Sequence, residues 1–551
     1  MAQDQEPHRI LVTLARILSL AVVACCSVAA AQSPGHREEL RIAVEQIRYA
    51  AGASEVDLAA GNLVAEVYER RGFLPAWRDN GKIGSLVAVI EDAFADGLEP
   101  ADYHQRELAE GYSRLRDGAT FSPTEWAAFE LRLTDALISL VHHQRFGKAD
   151  PVGQHASWNF RGRGEMPGTL ELVEEAISAP SLRESLAALI QRGPYYRSLK
   201  VALANYRRIA ADGGWPTMDG GRSLVHGDNE ERVATLARRL AVTGDLDDAK
   251  AYAETTIIDE RLQNAVRRFQ RRHGLETDGI VGPATIRALN EPVEKRIEQL
   301  RLALERARWI LGDLGDDFVV VNIAGFRAYV VADRKIVWET RVVVGRAHEQ
   351  SPVFRDEIQY IVFNPTWTVP YSIATRQMLP EIRQDPRWFE TRDFEVKDRS
   401  GRPIDPSTVD WSIVTRGNFD YTFVQRPGPD NALGHVKFIF PNEHSVYLHD
   451  TPARQLFGSA ERAFSHGCIR VENPMDLAEI LLAPNGWDRK RIDTTVASGK
   501  STTVFLSKPV PILLLYWTAN VDPGGLVHFY RDVYRRDAGI AKALDGPYRI
   551  E

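Results

Sequence analysis

Residues 447–452 read Tyr-Leu-His-Asp-Thr-Pro, and residues 465–470 read Ser-His-Gly-Cys-Ile-Arg. Thiol catalysis needs a nucleophile, a base that takes its proton, and hydrogen-bond donors for the oxyanion. Cys468 can serve as the nucleophile and His449 as the base. Gly467 lets the backbone approach closely, so the N–H groups of Gly467 and Cys468 can face a developing oxyanion. This pattern predicts a cysteine active site, whereas a lone cysteine without it is more often an inert core residue.

The same residues and their flanks resemble the YkuD-type L,D-transpeptidase family, whose motif is a histidine, a gap and then Ser/Thr-His-Gly-Cys. Several flanking segments are similar to the large YcbB-like subfamily: Arg426–Gly434, Val436–Phe438, Phe440–Asn442 and Leu448–Pro452. Asp450 departs from the small family members, which often carry glycine after the histidine. The group that orients His449 is therefore either a backbone carbonyl or the Asp450 side chain.

The resemblance implies a cross-linking reaction in bacterial peptidoglycan without a cofactor or metal. The Cys468 thiolate would attack the third residue of a donor tetrapeptide stem, and an amine of another stem would resolve the thioester as a 3→3 cross-link. His449 would act as proton donor and acceptor. Water as acceptor would give L,D-carboxypeptidase activity, and a wall-binding scaffold with weak catalysis is a further alternative. Carbapenems are implied as inhibitors, and other wall enzymes remain open as partners.

Other residues near the motif are assigned supporting roles. Tyr447 lies two residues before His449, so on a strand both side chains share a face, and Tyr447 is expected to position His449 or to close the oxyanion site. Ser465 and His466 are expected to hold the loop. Arg470 would neutralise a stem carboxylate or form a structural ion pair. The residues expected to line the substrate cleft are Trp367, Tyr371 and Asn431.

Three rival interpretations use the same residues. In cysteine peptidases of the wall-hydrolase kind the cysteine usually precedes the histidine, whereas His449 precedes Cys468 here. A catalytically dead wall-binding scaffold is disfavoured because both residues are intact. A zinc enzyme is disfavoured because the spacings match no standard ligand pattern. Its candidate ligands would be His435, His444, His449, His466 and Cys468.

Length and composition limit the classes of function. The chain has 551 residues, which predicts several domains, and a net charge of −7, which does not support nucleic-acid binding. Residues 1–31 have a basic start, an apolar run and an Ala-Ala-Ala end, which predicts a signal peptide and export to a Gram-negative periplasm. The segment ending at Cys25 is also loosely similar to a lipoprotein box, so lipid anchoring there is the alternative. Without residues 1–31, Cys468 is the only cysteine, which excludes an intrachain disulfide.

Two helical regions are predicted before the catalytic part of the chain. Apolar residues recur at helical spacing through residues 57–220, which predicts a helical scaffold domain. Residues 229–291 resemble a three-helix peptidoglycan-binding domain, mainly through Phe269–Ile286. A basic stretch within this domain is either a wall-binding face or a solvated one, and it consists of Arg267, Arg268, Arg271 and Arg272.

Residues 316–497 alternate between apolar and polar side chains, which predicts a mostly β YkuD-like catalytic domain. Residues 372–412 form an insertion longer than a hairpin loop requires, and the resemblance implies a substrate-capping lid. Residues 498–551 are expected to pack on the body as a C-terminal segment, because their apolar run 510–516 is too short to span a bilayer. The predicted fold class is therefore multidomain α+β.

Overall fold

The computed structural model describes residues 34–49, 56–160, 168–189, 193–248, 250–253, 256–385, 387–389 and 392–550. The predicted signal peptide and Cys25 lie outside these residues. No helix within the described ranges has both the length and the apolar character needed to cross a membrane. The fold is a multidomain α+β arrangement, as predicted, with a helical first half and a β-rich second half.

The first half is built on one long buried helix. Helices of this region are α1 (Pro34–Tyr49), α2 (Gly61–Arg70), α3 (Asn80–Asp92), α4 (Gln105–Arg116), α5 (Pro123–Phe146), α6 (Pro151–Gln154), α7 (Thr169–Ser178), α8 (Leu182–Leu189) and α9 (Pro194–Ala211). Helix α5 begins with a capping box, in which Ser122 Oγ accepts from the Glu125 N–H (3.2 Å) and Glu125 accepts from the Ser122 N–H (2.8 Å). Most of its side chains are buried, because the other helices surround it.

A second, smaller unit has its own hydrophobic core. It contains α10 (Arg232–Val242), α11 (Glu260–Arg272) and α12 (Pro283–Leu289). Asp259 caps α11 by accepting from the Leu262 N–H (2.8 Å), and α12 begins at Pro283 as predicted. Arg272 is buried against Asp245, so the basic stretch is not one continuous exposed face.

Helix α13 (Val293–Ile310) connects this unit to the β-rich half. The structure buries charged residues along it as well as apolar ones. Glu305 and Arg308 form an ion pair (2.7 Å) with no exposed side-chain surface. Glu305 also accepts from the Ala149 N–H (2.6 Å), which ties α13 to the helical first half. Helix α13 is therefore buried between the helical first half and the β-rich second half of the chain.

The catalytic region is a closed sheet. Its strands are β1 (Phe318–Asn322), β2 (Arg327–Ala332), β3 (Lys335–Gly345), β4 (Phe354–Phe363), β9 (Val436–Ile439), β10 (Leu448–His449), β11 (Ala463–Ser465), β12 (Ile469–Val471) and β13 (Thr502–Leu515). The order is β11-β3-β12-β10-β9-β4-β13-β1-β2, and β2 also pairs with β3. This last pairing closes the row into a barrel, with β11 attached outside the ring.

The C-terminal segment enters the barrel rather than only covering it. Strand β13 lies between β1 and β4, pairing parallel to the first and antiparallel to the second. The predicted domain end at residue 497 therefore cuts off a central strand, because the apolar run alone does not reveal its partners. After β13, strands β14 (Ala519–Val521) and β15 (Val527–Phe529) pair with each other and pack on α9 and α13, and α18 (Asp537–Asp545) follows. Two earlier helices, α16 (Pro474–Leu482) and α17 (Arg489–Ala497), complete the half.

The insertion is a small domain, larger than the predicted residues 372–412. It contains a second sheet of four strands: β5 (Trp367–Thr368), β6 (Phe394–Lys397), β7 (Pro403–Ile404) and β8 (Thr422–Gln425). Its helical part is α14 (Tyr371–Ile373), a π-helical turn at Ala374–Met378 and α15 (Leu379–Gln384). Strand β8 lies beyond the predicted insertion, and its partners are β5 and β6 rather than strands of the main sheet. We call residues 367–425 the lid domain.

Candidate active site

Strand pairing places three polar residues on one face of the barrel. In the register of the sheet, His449 on β10 lies opposite Lys437 on β9 and opposite Arg470 on β12. Side chains at paired positions point to the same face, and so do residues two positions apart on an extended strand. Tyr447 and Cys468 precede His449 and Arg470 by two residues. The structure therefore brings the two ends of the motif together, and Lys437 lies beside them on the neighbouring strand β9.

The loop before β12 is held by the Ser465 side chain. Ser465 Oγ donates to the carbonyl of Cys468 (2.5 Å) and accepts from the Gly467 N–H (3.1 Å). Gly467 has a φ of +115°, a conformation that a residue with a Cβ rarely adopts. The Gly467 N–H, one of the two expected oxyanion donors, is thus bonded within the loop. No hydrogen bond of the described residues uses the N–H of Cys468, and its role as an oxyanion donor stays a prediction.

The Cys468 thiol contacts the chain just before β10. It donates to the carbonyl of Ser445 (3.7 Å) and accepts hydrogen bonds from both the N–H and the O–H of Tyr447. Burial raises the pKa of the thiol, and the Tyr447 bonds and the charges of Arg470 and Lys437 oppose that rise only in part. In the structure, burial outweighs them, so the resting group is a thiol.

His449 is buried and oriented by a main-chain carbonyl. Its Nδ1 donates to the carbonyl of Asp450 (2.5 Å), which decides between the two orienting groups left open by the sequence. The Asp450 carboxylate instead accepts from the N–H groups of His435 (2.8 Å) and Thr451 (2.7 Å) and pairs with Arg454. Since the carbonyl can only accept, Nδ1 carries the proton and Nε2 is left as an acceptor.

The imidazole of His449 is neutral near pH 7. Burial is the largest cause and the charge of Arg470 adds to it, and together they lower the pKa of His449 to about 3. A neutral imidazole can take a proton, which is what a base near Cys468 must do. Among the hydrogen bonds of the described residues, none joins His449 to the Cys468 thiol.

Two cations at the site have no carboxylate partner in the described part of the chain. Arg470 and Lys437 are half-buried, and burial lowers the pKa of both groups. The Nε of Arg470 is buried without a hydrogen-bond partner there. Lys437 Nζ lies 5.7 Å from the centre of the Tyr447 ring. Arg470 forms no ion pair within the described part of the chain, and its expected contact with a stem carboxylate stays a prediction.

The lid domain reaches the motif through one side chain. Gln377, in the π-helical turn, hydrogen-bonds His466 Nε2, which also lies 3.6 Å from Glu349 Oε2. His466 thus contacts the lid and the loop after β3, which agrees with a holding role rather than a role as the base.

The three expected cleft residues occupy different places. Asn431 is 1% exposed, and its side-chain amide donates to the carbonyls of Pro365 (3.1 Å) and Arg426 (2.8 Å). Asn431 therefore fixes the main chain where the lid domain begins and ends, and it does not line an open cleft. Trp367 packs in the core of the lid domain, and Tyr371 lies on that domain's surface with its hydroxyl bonded to the carbonyl of Arg416.

Sequence reasoning missed the positions of Lys437 and Gln377 at the site. Lys437 had a usable signal, because it is a cation in an otherwise apolar strand that precedes the motif. Gln377 had none, since it is an ordinary polar residue whose partner lies far along the chain. Within the described residues, no cluster of three or more His, Cys, Asp or Glu side chains is arranged to hold a metal ion.

Three family models match the chain. Residues 62–203 match a scaffold domain, residues 229–289 a "Putative peptidoglycan binding domain" and residues 316–510 an L,D-transpeptidase catalytic domain. The last two agree with the predicted peptidoglycan-binding and catalytic segments.

Individual relatives match parts of the chain. A Haemophilus influenzae protein named "Putative L,D-transpeptidase" is 35% identical over 222 residues, which are 40% of this chain and 45% of the relative. The N-acetylmuramoyl-L-alanine amidase CwlM of Mycobacterium tuberculosis is 38% identical over 82 residues, 14% of this chain and 20% of the relative. Both alignments thus span less than half of the relative's length. A crystal structure of the L,D-transpeptidase from Xylanimonas cellulosilytica is 14% identical, with a TM-score of 0.18, over 54% of this chain and 99% of that one.

Proposed function

We propose that this chain, which carries an L,D-transpeptidase catalytic domain beside a peptidoglycan-binding domain, is an exported enzyme that forms 3→3 cross-links through a thioester on Cys468. One observation carries the proposal. A single barrel face presents a thiol, a neutral buried imidazole and two cations without carboxylate partners among the described residues. This set suits acyl transfer from an anionic peptide, because it combines nucleophile, base and counter-charge.

In the first half-reaction, Cys468 Sγ attacks the carbonyl carbon at the third residue of a donor tetrapeptide stem. The thiol proton passes to Nε2 of His449, and the oxyanion forms against the N–H of Cys468. When the tetrahedral intermediate collapses, the C–N bond to the terminal D-Ala breaks and His449 returns the proton to the leaving amine. A thioester remains, and the amine of another stem's third residue then displaces Sγ, with His449 as base and then as acid.

The separation of Cys468 and His449 in the resting structure fits a base that engages only with substrate present. Hydrogen bonds of a catalytic pair are often long or absent before substrate binds and tighten in the complex. Tyr447 contacts both residues. Its hydroxyl bonds the Cys468 thiol, and the centre of its ring is 5.6 Å from that of the His449 ring. A substrate carbonyl that takes up the Tyr447 hydroxyl would free the thiol to turn towards Nε2.

The two unpaired cations give the donor stem a place for its carboxylate. Arg470 has a buried Nε that a carboxylate oxygen would satisfy, and Lys437 adds positive charge from the neighbouring strand. The lid domain contacts the same loop at His466. We therefore place the stem between the barrel face and the lid domain, with carbapenems as acylating agents of the same thiol. The periplasm, the YcbB-like subfamily and other wall enzymes as partners belong to the same proposal.

Mass spectrometry of muropeptides tests this function. Purified disaccharide tetrapeptides are incubated with the chain lacking residues 1–31, and we expect dimers with a 3→3 bond together with released D-Ala. Cys468→Ala should form none while keeping the wild-type circular dichroism and melting temperature. Dimers formed at the wild-type rate by that variant would contradict the assignment. Tripeptide monomers without dimers would instead identify water as the acceptor and an L,D-carboxypeptidase.

A further inference from the structure

A loop that follows the neighbouring strand β3 clamps the peptide that carries the Cys468 N–H. This loop, residues 345–351, follows β3. The N–H of Arg346 donates to the carbonyl of Ser465 (3.0 Å), and Ser351 Oγ donates to the carbonyl of Gly467 (2.7 Å). The motif loop is thus fixed by hydrogen bonds at two points, one on each side of His466.

The bond to Gly467 determines where the next N–H points. The carbonyl of Gly467 and the N–H of Cys468 belong to one peptide unit, which is trans, so the two groups point in opposite directions. Ser351 is fully buried, and its hydroxyl holds the carbonyl on the buried side. The N–H of Cys468 is therefore directed away from Ser351, and the peptide cannot rotate without breaking a buried hydrogen bond.

Ser351 is itself held by the C-terminal segment. Its Oγ accepts from the Gly345 N–H (3.0 Å), and its own N–H donates to the hydroxyl of Tyr534 (3.2 Å). The Tyr534 hydroxyl in turn donates to the carbonyl of Gly345 (2.5 Å). The loop closes so tightly that a Cβ at Gly345 would lie 2.1 Å from the carbonyl oxygen of Glu349, so this position requires glycine. Each hydroxyl therefore joins both ends of the loop.

We propose that Ser351, held by Tyr534, is the positioning residue of the oxyanion site, because it fixes the peptide that aims the Cys468 N–H. The inference rests on the proposed function, since an oxyanion forms only during acyl transfer. An oxyanion donor must be in place before the reaction, and its loss elsewhere costs about 10²–10³ in rate. Removing a positioning hydroxyl lets the donor turn rather than deleting it, so we expect a smaller loss of about tenfold to a hundredfold.

Two reactions of the same thiol separate this role from a structural one. Acylation by the donor stem passes through an oxyanion, whereas alkylation by iodoacetamide does not. Ser351→Ala should slow thioester formation at saturating stem by about tenfold or more with little change in KM, and should leave the alkylation rate within about twofold. Tyr534→Phe removes one oxygen and keeps the ring, so we expect a loss of the same kind but smaller size.

Ser157→Ala is the matched control. Ser157 Oγ also bridges two main-chain groups, accepting from the Val353 N–H (3.1 Å) and donating to the Val353 carbonyl (3.0 Å), but it does not touch the motif loop. This variant should change neither rate. If Ser351→Ala does not fold, Tyr534→Phe decides by the same comparison.

Acylation at the wild-type rate in both variants would overturn the inference while leaving the proposed function intact. A parallel loss of acylation and alkylation would also overturn it, because the thiol itself would then have moved. A wild-type chain that forms no thioester would overturn the proposed function and this inference with it.

Discussion

At the scale of single residues, burial and hydrogen bonding act on Cys468 in opposite directions. Two bonds from Tyr447 and the charges of Arg470 and Lys437 favour the thiolate, yet burial raises the pKa of the thiol. His449, on the same face, is kept neutral by burial and by Arg470. The site is therefore a neutral thiol beside a neutral imidazole rather than a preformed ion pair. Such a site reacts when substrate supplies the oxyanion and completes the proton path.

This balance predicts the pH profile of Cys468 alkylation. In the chain lacking residues 1–31, the rate with iodoacetamide should rise with pH and reach its midpoint above about 8.5, the ordinary value for a free thiol. The sign follows because a raised pKa delays deprotonation to higher pH. Lys437→Met removes a charge that favours the thiolate and should move the midpoint further up. A wild-type midpoint below the ordinary value would contradict the account, and Cys468→Ala gives the background.

His449→Ala should affect the two thiol reactions differently. Because no hydrogen bond joins the imidazole to the thiol in the resting structure, the alkylation midpoint should change little. Acylation should fall by about 10²–10⁴, the usual contribution of a general base.

At the scale of elements, the lid domain has a core separate from that of the barrel. Its cluster is rich in aromatic side chains, and Phe423 on β8 is fully buried within it, near Phe389, Trp411 and Phe419. Phe423→Ala should cost about 3–5 kcal/mol of lid stability. Hydrogen exchange should then show lost protection in β6 and β8, with β4 and β9 unchanged.

Phe438→Ala is the counterpart in the barrel, where Phe438 is equally buried on β9. It should lower protection in β4 and β9 first. Equal loss of hydrogen-exchange protection in both sheets, in either variant, would mean that the lid domain and the barrel unfold as one unit. That result would contradict the two separate cores.

The sequence predicts some of these elements better than others, for physical reasons. Strand β1 and helix α16 are elements that a local pattern can predict, because each has a regular apolar pattern and clear ends. The extent of the lid domain was underestimated because β5 pairs with a strand far along the chain: the partners Thr368 on β5 and Val424 on β8 are 56 positions apart in sequence. Pairing over such distances leaves no local pattern. The same holds for β13 and for the clamp at Ser351, whereas Cys468 and His449 were identified because their motif is local.

At the scale of the whole molecule, a buried ion pair inside the three-helix unit also connects this unit to the C-terminal hairpin. Arg272 and Asp245 are each 1% exposed, and Arg272 also donates to the carbonyl of Val527 (3.3 Å) on β15. The pair thus closes the unit's own fold and fastens it to the C-terminal hairpin. Removing one member of such a pair leaves an uncompensated buried charge, which costs about 3–5 kcal/mol.

Arg272→Met should therefore loosen the three-helix unit without disabling the barrel, whose core is separate. We expect weaker capture by insoluble sacculi and lost hydrogen-exchange protection in α11, with turnover of soluble muropeptides within about twofold of wild type. The double variant Asp245→Leu with Arg272→Met removes both charges and should recover most of the stability, since apolar replacement of a whole buried pair is often neutral. Arg267→Met, on the exposed side of the same helix, tests wall contact without unfolding. Undiminished capture by Arg272→Met, despite a loosened unit, would show that wall binding lies elsewhere in the chain.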